Sequence, residues 1–237
     1  MEIDQLTQNT DKIGSIAIIG SGIAGIQTAL DIANSGFKVH LIEERPNVGG
    51  VMAQLDKTFP TNDCAMCIVS PKLVSVGRHP DIEILTNTTV EALTGSAGRF
   101  KVKMHRAPRY VDMSKCTGCG DCEKVCETTV PDPHNLGLCT AKAIRLPHLN
   151  AWPKRFVFDR EAVGDAEAKK IADACAYGAI DFEATATTET IDLPLGEEDA
   201  ALDLDALVEH LEQQHLPHAA IIDSGTGPSD SWRPQRS

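Results

Sequence analysis

Aromatic side chains are scarce in this sequence, since Phe, Tyr and Trp together make up only 4% of its 237 residues. A hydrophobic core therefore has to be built mainly from Ile, Val, Leu and Ala. At 42% hydrophobic residues the chain has enough of them for a folded protein. A chain of this length can form one large domain or two small ones.

The sequence also lacks an excess of positive charge, with 22 Lys and Arg against 34 Asp and Glu and a formal net charge of −12. Binding to nucleic acid requires clustered basic residues, so we expect no nucleic-acid partner. The single basic run alternates with other residues, which is typical of the solvent-facing side of a strand. It consists of Arg99, Lys101, Lys103, His105, Arg106 and Arg109.

Long apolar runs are missing as well. None approaches the roughly 18 residues needed to span a membrane, and the polar start MEIDQLTQNTDK does not resemble a signal peptide. The sequence therefore predicts a cytoplasmic protein without a membrane span. Its eight cysteines, in a compartment where thiols stay reduced, favour metal or redox chemistry over a disulfide framework.

After a disordered lead-in at 1–11, the pattern predicts a βαβ unit. SIAIIG predicts a buried parallel strand, IAGIQTALDIANSG predicts a helix that ends near Gly36, and FKVHLIEE predicts a second strand. Such a unit connects parallel strands. Residues 46–80 are rich in Gly, Pro, Asn and Asp and predict a long loop. Residues 82–105 predict two strands, IEILTNTTV and RFKVKMH.

The turn between the first strand and the helix carries a GxGxxG motif. Its glycines permit a tight turn, approach of the backbone to a pyrophosphate and close packing of the helix, whose N-terminus attracts phosphate. About 20 residues further on, Glu43 ends the second strand, where a carboxylate can bind ribose hydroxyls. FAD and NAD share this motif, and the pair Gly49–Gly50 favours FAD. The predicted cofactor-binding residues are Gly20, Gly22, Ala24, Gly25, Glu43, Glu44, Gly49 and Gly50.

A second motif has the spacing C-x2-C-x2-C-x3-C of bacterial ferredoxins, in which three thiolates from one tight loop bind one [4Fe–4S] cluster. Zinc is the chemical alternative, although its usual ligands are two separated CxxC pairs. The motif predicts an iron–sulfur unit at 108–183 with candidate ligands Cys116, Cys119, Cys122 and Cys126.

The fourth ligand remains open between Cys126 and Cys175. In two-cluster ferredoxins the fourth cysteine of each run binds the other cluster, and Cys175, in the phrase CAYGAI, resembles such a residue. The same spacing counted back from Cys175 reaches Ile171, Ala168 and Asp165, none of which is a thiol. We therefore expect one cluster, bound by the first three cysteines and Cys175. The alternative set ends at Cys126.

The remaining cysteines and the histidines give weaker signals. Cys64 and Cys67, in NDCAMC, could form a redox pair, bind another cluster or be buried small side chains. Cys139 is expected to be a packed apolar residue. The histidines are scattered; His215 and His218 straddle Pro217 and are expected to be solvated. No triad or carboxylate pair indicates hydrolysis.

Two long segments together resemble the family of the A-type subunits of heterodisulfide reductase: GGVMAQLDKTFPTNDCAMCIVSPKLVSVGRHPDIEILTNTTVEAL and GRFKVKMHRAPRYVDMSKCTGCGDCEKVC. The resemblance covers roughly residues 12–183. It implies an α/β fold, in which a Rossmann-like, thioredoxin-reductase-like FAD domain contains a ferredoxin-like α+β insert. The implied division is 12–107 for the first part of the FAD domain, 108–183 for the insert, 184–227 for the return segment and 228–237 for a tail.

The resemblance also implies partners, namely B- and C-like subunits, ferredoxin, and a hydrogenase or formate dehydrogenase module. The sequence departs from the family in three ways. An N-terminal cluster domain is missing, the second cluster of the insert has lost its ligands, and the sequence stops after HAAIIDSGTG, where the family's FAD domain continues. Two functions stay open: an oxidoreductase subunit that relays electrons between FAD and one [4Fe–4S] cluster, or a non-catalytic remnant that binds a cluster or partners without stable flavin.

Overall fold

The computed structural model of the protein describes residues 14–96 and 98–194. The predicted lead-in at 1–11, the helix LDLDALVEHLEQQH, the strand HAAIID and the tail lie outside the described residues. Within those two ranges no helix combines the length and the apolar character that crossing a bilayer requires.

A three-stranded parallel sheet with its second strand in the middle forms the nucleotide domain. The predicted βαβ unit is confirmed. Ile26 and Ala33 of its helix are buried in a core of mainly aliphatic residues. The helix is capped at Ser35, one residue before Gly36, which follows with a left-handed φ of 97°. The elements are β1 (Ser15–Ile19), α1 (Ile23–Asn34), β2 (Lys38–Ile42), α2 (Ala65–Arg78) and β3 (Ile82–Leu85).

Helix α2 lies inside the segment that the sequence predicts as a loop, so that prediction is wrong. Its buried residues Ala65, Val69, Leu73 and Val76 have helical spacing and pack on the same core as α1. Burial of this apolar face outweighs the local composition, in which Pro71 stands inside the helix. A short 3₁₀ turn at Gly50–Gln54 precedes it.

An antiparallel sheet of β4 (Thr88–Ser96), β5 (Arg99–Arg106) and β10 (Thr187–Pro194) has β5 in its centre. The prediction of one strand over IEILTNTTV is wrong, because Asn87, with a φ of 55°, turns the chain between the two sheets. Buried residues Val102, Met104 and Leu193 pack this sheet against the end of the parallel one.

The basic residues from Arg99 to Arg106 lie on β5 and are largely solvent-facing, as predicted. For Arg109 the prediction is wrong, because this residue lies beyond the strand and its partly buried guanidinium bonds to Pro46 and Thr86. Lys101 and Lys103 are exposed and pair with carboxylates of the neighbouring strands, at 3.0 Å from Asp192 and 2.7 Å from Glu91. Exposed pairs of this kind contribute little to stability, and they cancel the local charge.

Between β5 and β10 the chain forms an insert with its own hydrophobic core, which includes Phe156, Ile144 and Ile171. The two ends of the insert run side by side, since Asp112 N donates to Ala179 O at 2.7 Å and the residues on either side are paired as well. The elements of the insert are α3 (Asp121–Val125), β6 (Thr129–Pro131), β7 (Thr140–Lys142), β8 (Ile144–Arg145), β9 (Val157–Phe158), a 3₁₀ turn at Arg160–Ala162 and α4 (Asp165–Asp173).

Candidate cofactor sites

The GxGxxG turn has the close packing that a dinucleotide-binding loop requires. A Cβ atom at Gly25 would lie 2.0 Å from the carbonyl oxygen of Gly20, so no side chain is possible there. Helix α1 starts after Gly22 with no side-chain cap and no acidic residue in its first turn, which also contains Ala24. Its free amides and the positive end of its dipole therefore remain available to phosphate.

The loop after β2 packs directly on this turn. A Cβ atom at Gly50 would lie 2.8 Å from Gly22 Cα, and Gly49 N donates to Ser21 O at 2.9 Å. Close contact between the two glycine segments therefore fixes the path of the chain from Glu43 to Gly50. Glu44 is exposed beside them.

Glu43 is 6% exposed and is held at the centre of the site. One carboxylate oxygen accepts a hydrogen bond from Ser21 N at 2.8 Å and another from the Ser21 hydroxyl. The other oxygen accepts from Arg45 N at 2.9 Å. A carboxylate oxygen has two acceptor positions, so at least one position is left for a ribose hydroxyl.

The insert brings four thiols around one pocket: Cys116, Cys119, Cys122 and Cys175 line it together with apolar residues such as Phe156. Cys126 lies outside this pocket, 1% exposed, and its thiol donates to Thr128 O at 3.4 Å.

The chemistry of these thiols suits an iron–sulfur cluster. In the described part of the chain no three His, Cys, Asp or Glu side chains converge closely enough to hold one metal ion. The thiolates of a [4Fe–4S] cluster each bind a different iron, so they lie around a pocket rather than at one point. Four thiols around one pocket are therefore a donor set that fits an iron–sulfur cube.

Without iron the Cys122 thiol of this pocket resists ionisation. Burial raises the pKa of Cys122 to about 12, and the nearby charges of Cys116, Cys175 and Cys119 act in the same direction. Iron must therefore displace protons when it binds. The amide of Ala179 points at the sulfur of Cys175, with an N–S distance of 3.4 Å, and would stabilise its thiolate.

Buried apolar side chains occupy two of the positions at which a two-cluster ferredoxin would carry the thiols of its second cluster. Ala168 and Ile171 on α4 are both 0% exposed and belong to the core of the insert. On the same helix Glu167 accepts hydrogen bonds from Thr128 Oγ1 at 2.7 Å, Thr128 N at 2.9 Å and Glu127 N at 2.6 Å. These bonds lower the pKa of Glu167 to about 2.

Cys64 and Cys67 form a disulfide with their Cα atoms 5.2 Å apart. Both residues are exposed, which makes the interpretation as buried side chains wrong. Cys64 is the N-cap of α2, and its sulfur accepts a hydrogen bond from Cys67 N at 3.1 Å. A redox or ligand role for the pair stays a prediction.

The expectation that Cys139 is packed is also wrong. Cys139 lies in the loop between β6 and β7, which extends into solvent, and its thiol is exposed and points at Asp132 Oδ2 at 3.7 Å. Apolar neighbours in the sequence, Leu136 and Leu138, are themselves 77% and 89% exposed, so local hydrophobicity is a false signal here.

The insert is tied to the nucleotide domain through three consecutive residues, Pro46, Asn47 and Val48, which we call the clamped loop. It connects Glu43 to Gly49–Gly50. Arg109 donates to the carbonyl of Pro46, Asn47 Nδ2 lies 3.0 Å from His148 Nε2, and Val48 N donates to Trp152 O at 2.9 Å.

A cavity of about 350 Å³ opens beside the clamped loop, between the two parts of the chain. The ring of His148 stacks on that of His134 in this region, with centroids 4.7 Å apart. Burial, together with the smaller effect of the charge of His134, lowers the pKa of His148 to about 4. His148 is therefore neutral at pH 7 when it contacts Asn47.

Sequence reasoning misses the residues of this junction. In the sequence Arg109 belongs only to the basic run, and His148 is one of the scattered histidines. The one usable signal is Trp152, one of two tryptophans in an aromatic-poor chain. A large side chain in such a sequence is expected to fill a specific contact.

Known proteins share both sites. A family profile described as an NAD(P)-binding Rossmann-like domain matches residues 18–69, and one described as a 4Fe-4S binding domain matches residues 109–130. The predicted α/β fold with a ferredoxin-like insert is thereby confirmed. The profiles name a nucleotide and a cluster without naming FAD or the number of clusters.

Curated relatives are A-type subunits of archaeal heterodisulfide reductases. One of the A-type iron-sulfur subunits of the CoB–CoM heterodisulfide reductase of Methanopyrus kandleri is 50% identical over 156 residues, covering 66% of this chain and 23% of that protein. The A-type subunit of the H(2):CoB-CoM heterodisulfide,ferredoxin reductase of Methanothermobacter thermautotrophicus is 41% identical over 207 residues. The match covers 86% of this chain and 31% of that protein. Its counterpart in the H(2)/formate:CoB-CoM heterodisulfide,ferredoxin reductase of Methanococcus maripaludis is 47% identical over 158 residues. This match covers 67% of this chain and 24% of that protein.

Solved structures are similar over smaller parts. L-proline dehydrogenase from P. horikoshii matches 39% of this chain and 19% of its own at 30% identity, with a TM-score of 0.34. Thioredoxin reductase from T. acidophilum matches 38% of this chain and 30% of its own at 19% identity, with a TM-score of 0.34.

The chain spans less than a third of the length of the curated relatives, between 23% and 31% for the three named. The shared part contains both motifs, GxGxxG and the cysteine loop, at the positions that the two profiles match. Over this part the chain belongs to the family of the A-type subunits of heterodisulfide reductase.

Proposed function

We propose that this chain is an oxidoreductase subunit that relays electrons between FAD and one [4Fe–4S] cluster. The observation that supports this best is the pocket lined by four thiols, on an insert that is hydrogen-bonded to the nucleotide loop. A relay needs its two redox groups at a fixed separation, and the bonds to the clamped loop supply that constraint.

At the nucleotide end, the free amides at the start of α1, Ala24 among them, would bind the pyrophosphate. Glu43 would accept bonds from the ribose, next to the exposed Glu44. The contact between Gly50 and Gly22 supports FAD as the dinucleotide, because it builds the second glycine pair into the site.

At the cluster end, we propose Cys116, Cys119, Cys122 and Cys175 as the ligands, with Cys126 as a buried thiol that binds no iron. The pocket includes the first four and leaves out Cys126, which supports this choice. The core packing of Ala168 and Ile171 supports a single cluster.

When bound, FAD would exchange electrons in pairs or one at a time, so it could pass single electrons to and from the cube, which exchanges them singly. The protein contributes position, exclusion of water and charge. Burial of Cys122 keeps water from the inner side of the pocket, and the amide of Ala179 opposes negative charge at the Cys175 sulfur. The clamped loop holds the nucleotide turn against the insert.

We propose that the chain acts in a cytoplasmic heterodisulfide-reductase-like complex. Its partners would be B- and C-like subunits, ferredoxin, and a hydrogenase or formate dehydrogenase module, in line with the names of the relatives. Apolar side chains exposed around the 3₁₀ turn, with Val51 60% and Phe59 97% exposed, support contact with another protein surface.

A second candidate is a module that binds a cluster or partner subunits without holding flavin stably. One observation favours it: both carboxylate oxygens of Glu43 are already bonded by Ser21 and Arg45. A ribose would then gain less from Glu43 than from a free carboxylate.

Anaerobic purification with flavin extraction and iron analysis tests both candidates. The relay predicts bound FAD and about four irons per chain, as one cube requires. Iron without flavin would favour the second candidate. A colourless protein with no paramagnetic signal after reconstitution and reduction would exclude the relay and the cluster-binding form of the second candidate.

The matched variants Cys175→Ser and Cys126→Ser test the ligand set, because they make the same change at two cysteines of the same insert. We expect Cys175→Ser to lose iron and Cys126→Ser to keep it. The reverse pattern would assign the local set that ends at Cys126.

A further inference from the structure

Arg109 joins the two proposed cofactor sites. Its guanidinium is partly buried and donates hydrogen bonds to the carbonyl of Pro46 and, at 3.1 Å, to Thr86 Oγ1, both on the nucleotide domain. A longer contact of 3.5 Å reaches the carbonyl of Phe156, which lines the thiol pocket.

All three of these acceptors are neutral. Among the residues that the structure describes, Arg109 makes no ion pair with a carboxylate, whereas Arg106, Arg145 and Arg160 each have one. A charge removed from water without a partner is costly, so the surroundings of Arg109 call for a negative group.

Phe156 lines the thiol pocket, so a negatively charged cluster bound there would lie on the side of Arg109 that this third contact faces. Burial lowers the pKa of Arg109 to about 10, while the charge of Cys116 raises it and that of Arg155 lowers it. Arg109 therefore stays protonated at pH 7. Arg155 is the other cation on this side, and its Nε donates to Met113 O at 2.7 Å.

We propose that Arg109 is a positioning residue that acts as the counter-charge of the cube, held in place by its hydrogen bonds to Pro46 and Thr86. This inference rests on the proposed function and adds a residue that tunes the cluster from the nucleotide domain. Because Pro46 belongs to the clamped loop, the same side chain couples the position of the nucleotide site to the charge beside the cube.

The expected consequence is a change in reduction potential. A cube held by four thiolates is negatively charged in both oxidation states and gains one more negative charge on reduction. A fixed cation therefore stabilises the reduced form more than the oxidised one. Removal of that cation is expected to shift the redox equilibrium about tenfold toward the oxidised cube, which corresponds to about 59 mV for one electron.

The test is a potentiometric titration of the reconstituted full chain, followed by the paramagnetic signal of the reduced cube, with iron content measured on each sample. Arg109→Met is expected to lower the potential, and Arg109→Lys, which keeps the charge, is expected to stay near the wild type. Arg106→Met is the matched control, since Arg106 pairs with Glu189 on the outer sheet and is expected to leave the potential unchanged.

An unchanged potential in an iron-replete Arg109→Met protein would overturn the inference, as would equal shifts in the Met and Lys variants. If the Arg109→Met protein does not bind iron, the potential of the Thr86→Val protein tests the inference instead. This substitution removes only a hydrogen-bond acceptor that orients the Arg109 guanidinium. A lower potential in that variant supports the inference and an unchanged one refutes it. A wild-type protein without a cube signal would instead refute the proposed function, so the two failures are distinguishable.

Discussion

A single methyl group added at Gly77 tests the contact between the insert and the nucleotide domain. Gly77 lies in the last turn of α2, and a Cβ atom there would lie 1.9, 2.0 and 2.4 Å from three atoms of the Trp152 indole. All three atoms belong to one rigid ring, so the ring has to move as a whole. The backbone of Trp152 is bonded to Val48, which restricts that movement.

Two opposing effects determine the result of Gly77→Ala. Alanine in place of glycine inside a helix is favourable by about 1 kcal/mol. Overpacking costs about 1–3 kcal/mol, and the short distances to a ring with a fixed backbone place this site near the upper end. The net expectation is a loss of about 2 kcal/mol in the free energy of unfolding.

The sign is expected to reverse when the indole is removed. In a Trp152→Ala background the added methyl meets no ring, and only the gain of about 1 kcal/mol from helix propensity remains. Urea unfolding of the iron-free wild type, both single variants and the double variant gives the coupling energy directly. If Gly77→Ala has the same effect in both backgrounds, or stabilises the wild type, the packing described for Trp152 is refuted.

Two other substitutions have matched controls within the chain. Gly50→Ala and Gly178→Ala both place alanine at a left-handed φ, 57° and 56°, which costs about 1–2 kcal/mol each. Only Gly50→Ala also meets Gly22 Cα, so it alone is expected to weaken FAD binding, by about tenfold or more; equal affinities by fluorescence titration would contradict the packing of the two glycine segments. Hydrogen bonds lower the pKa of Glu167 from 4.5 to about 2, so the stability they contribute is complete above pH 4.5 and is lost as the pH falls toward 2. Glu167→Gln is expected to be less stable than wild type at pH 7 and to lose this acid dependence, with Glu161→Gln as an exposed control; parallel urea midpoints from pH 7 to pH 3 would argue against these bonds.

Local patterns in the sequence are sufficient to predict the βαβ unit and the cysteine loop. In both, the informative residues lie close together: the glycines from Gly20 to Gly25 form one turn, and the thiols from Cys116 to Cys122 form one loop. A physical requirement of a phosphate or a cluster fixes such short spacings, so they can be read without the fold.

Contacts between distant residues are not predictable in this way. Arg109 lies 63 residues from Pro46 in the sequence, and Asn47 lies 101 residues from His148. Neither pair leaves a periodic trace, because each is a single contact set by how two folded units meet. The choice between Cys126 and Cys175 stays open in the sequence for the same reason, since it depends on which side of the insert's core each thiol faces.

Helix α2 shows the opposite problem, in which local composition misleads. Pro71, Gly77 and the CxxC pair are unfavourable or unusual in helices, yet four buried aliphatic residues on one face hold the segment in place. The helical spacing of these four apolar residues is the sequence signal that predicts helix α2.

The insert leaves the antiparallel sheet at the end of β5 and rejoins it at the start of β10, where Arg106 and Thr187 sit opposite each other. Its two stems are joined above that point by the bonds between 110–112 and 179–181. The insert is thus covalently connected to its host through one pair of stems, and its hydrogen bonds to the clamped loop add to that connection. An ancestor could have gained it, or a descendant could exchange it for another redox unit, by editing the chain at a single hairpin while every strand that shapes the nucleotide site kept its partners.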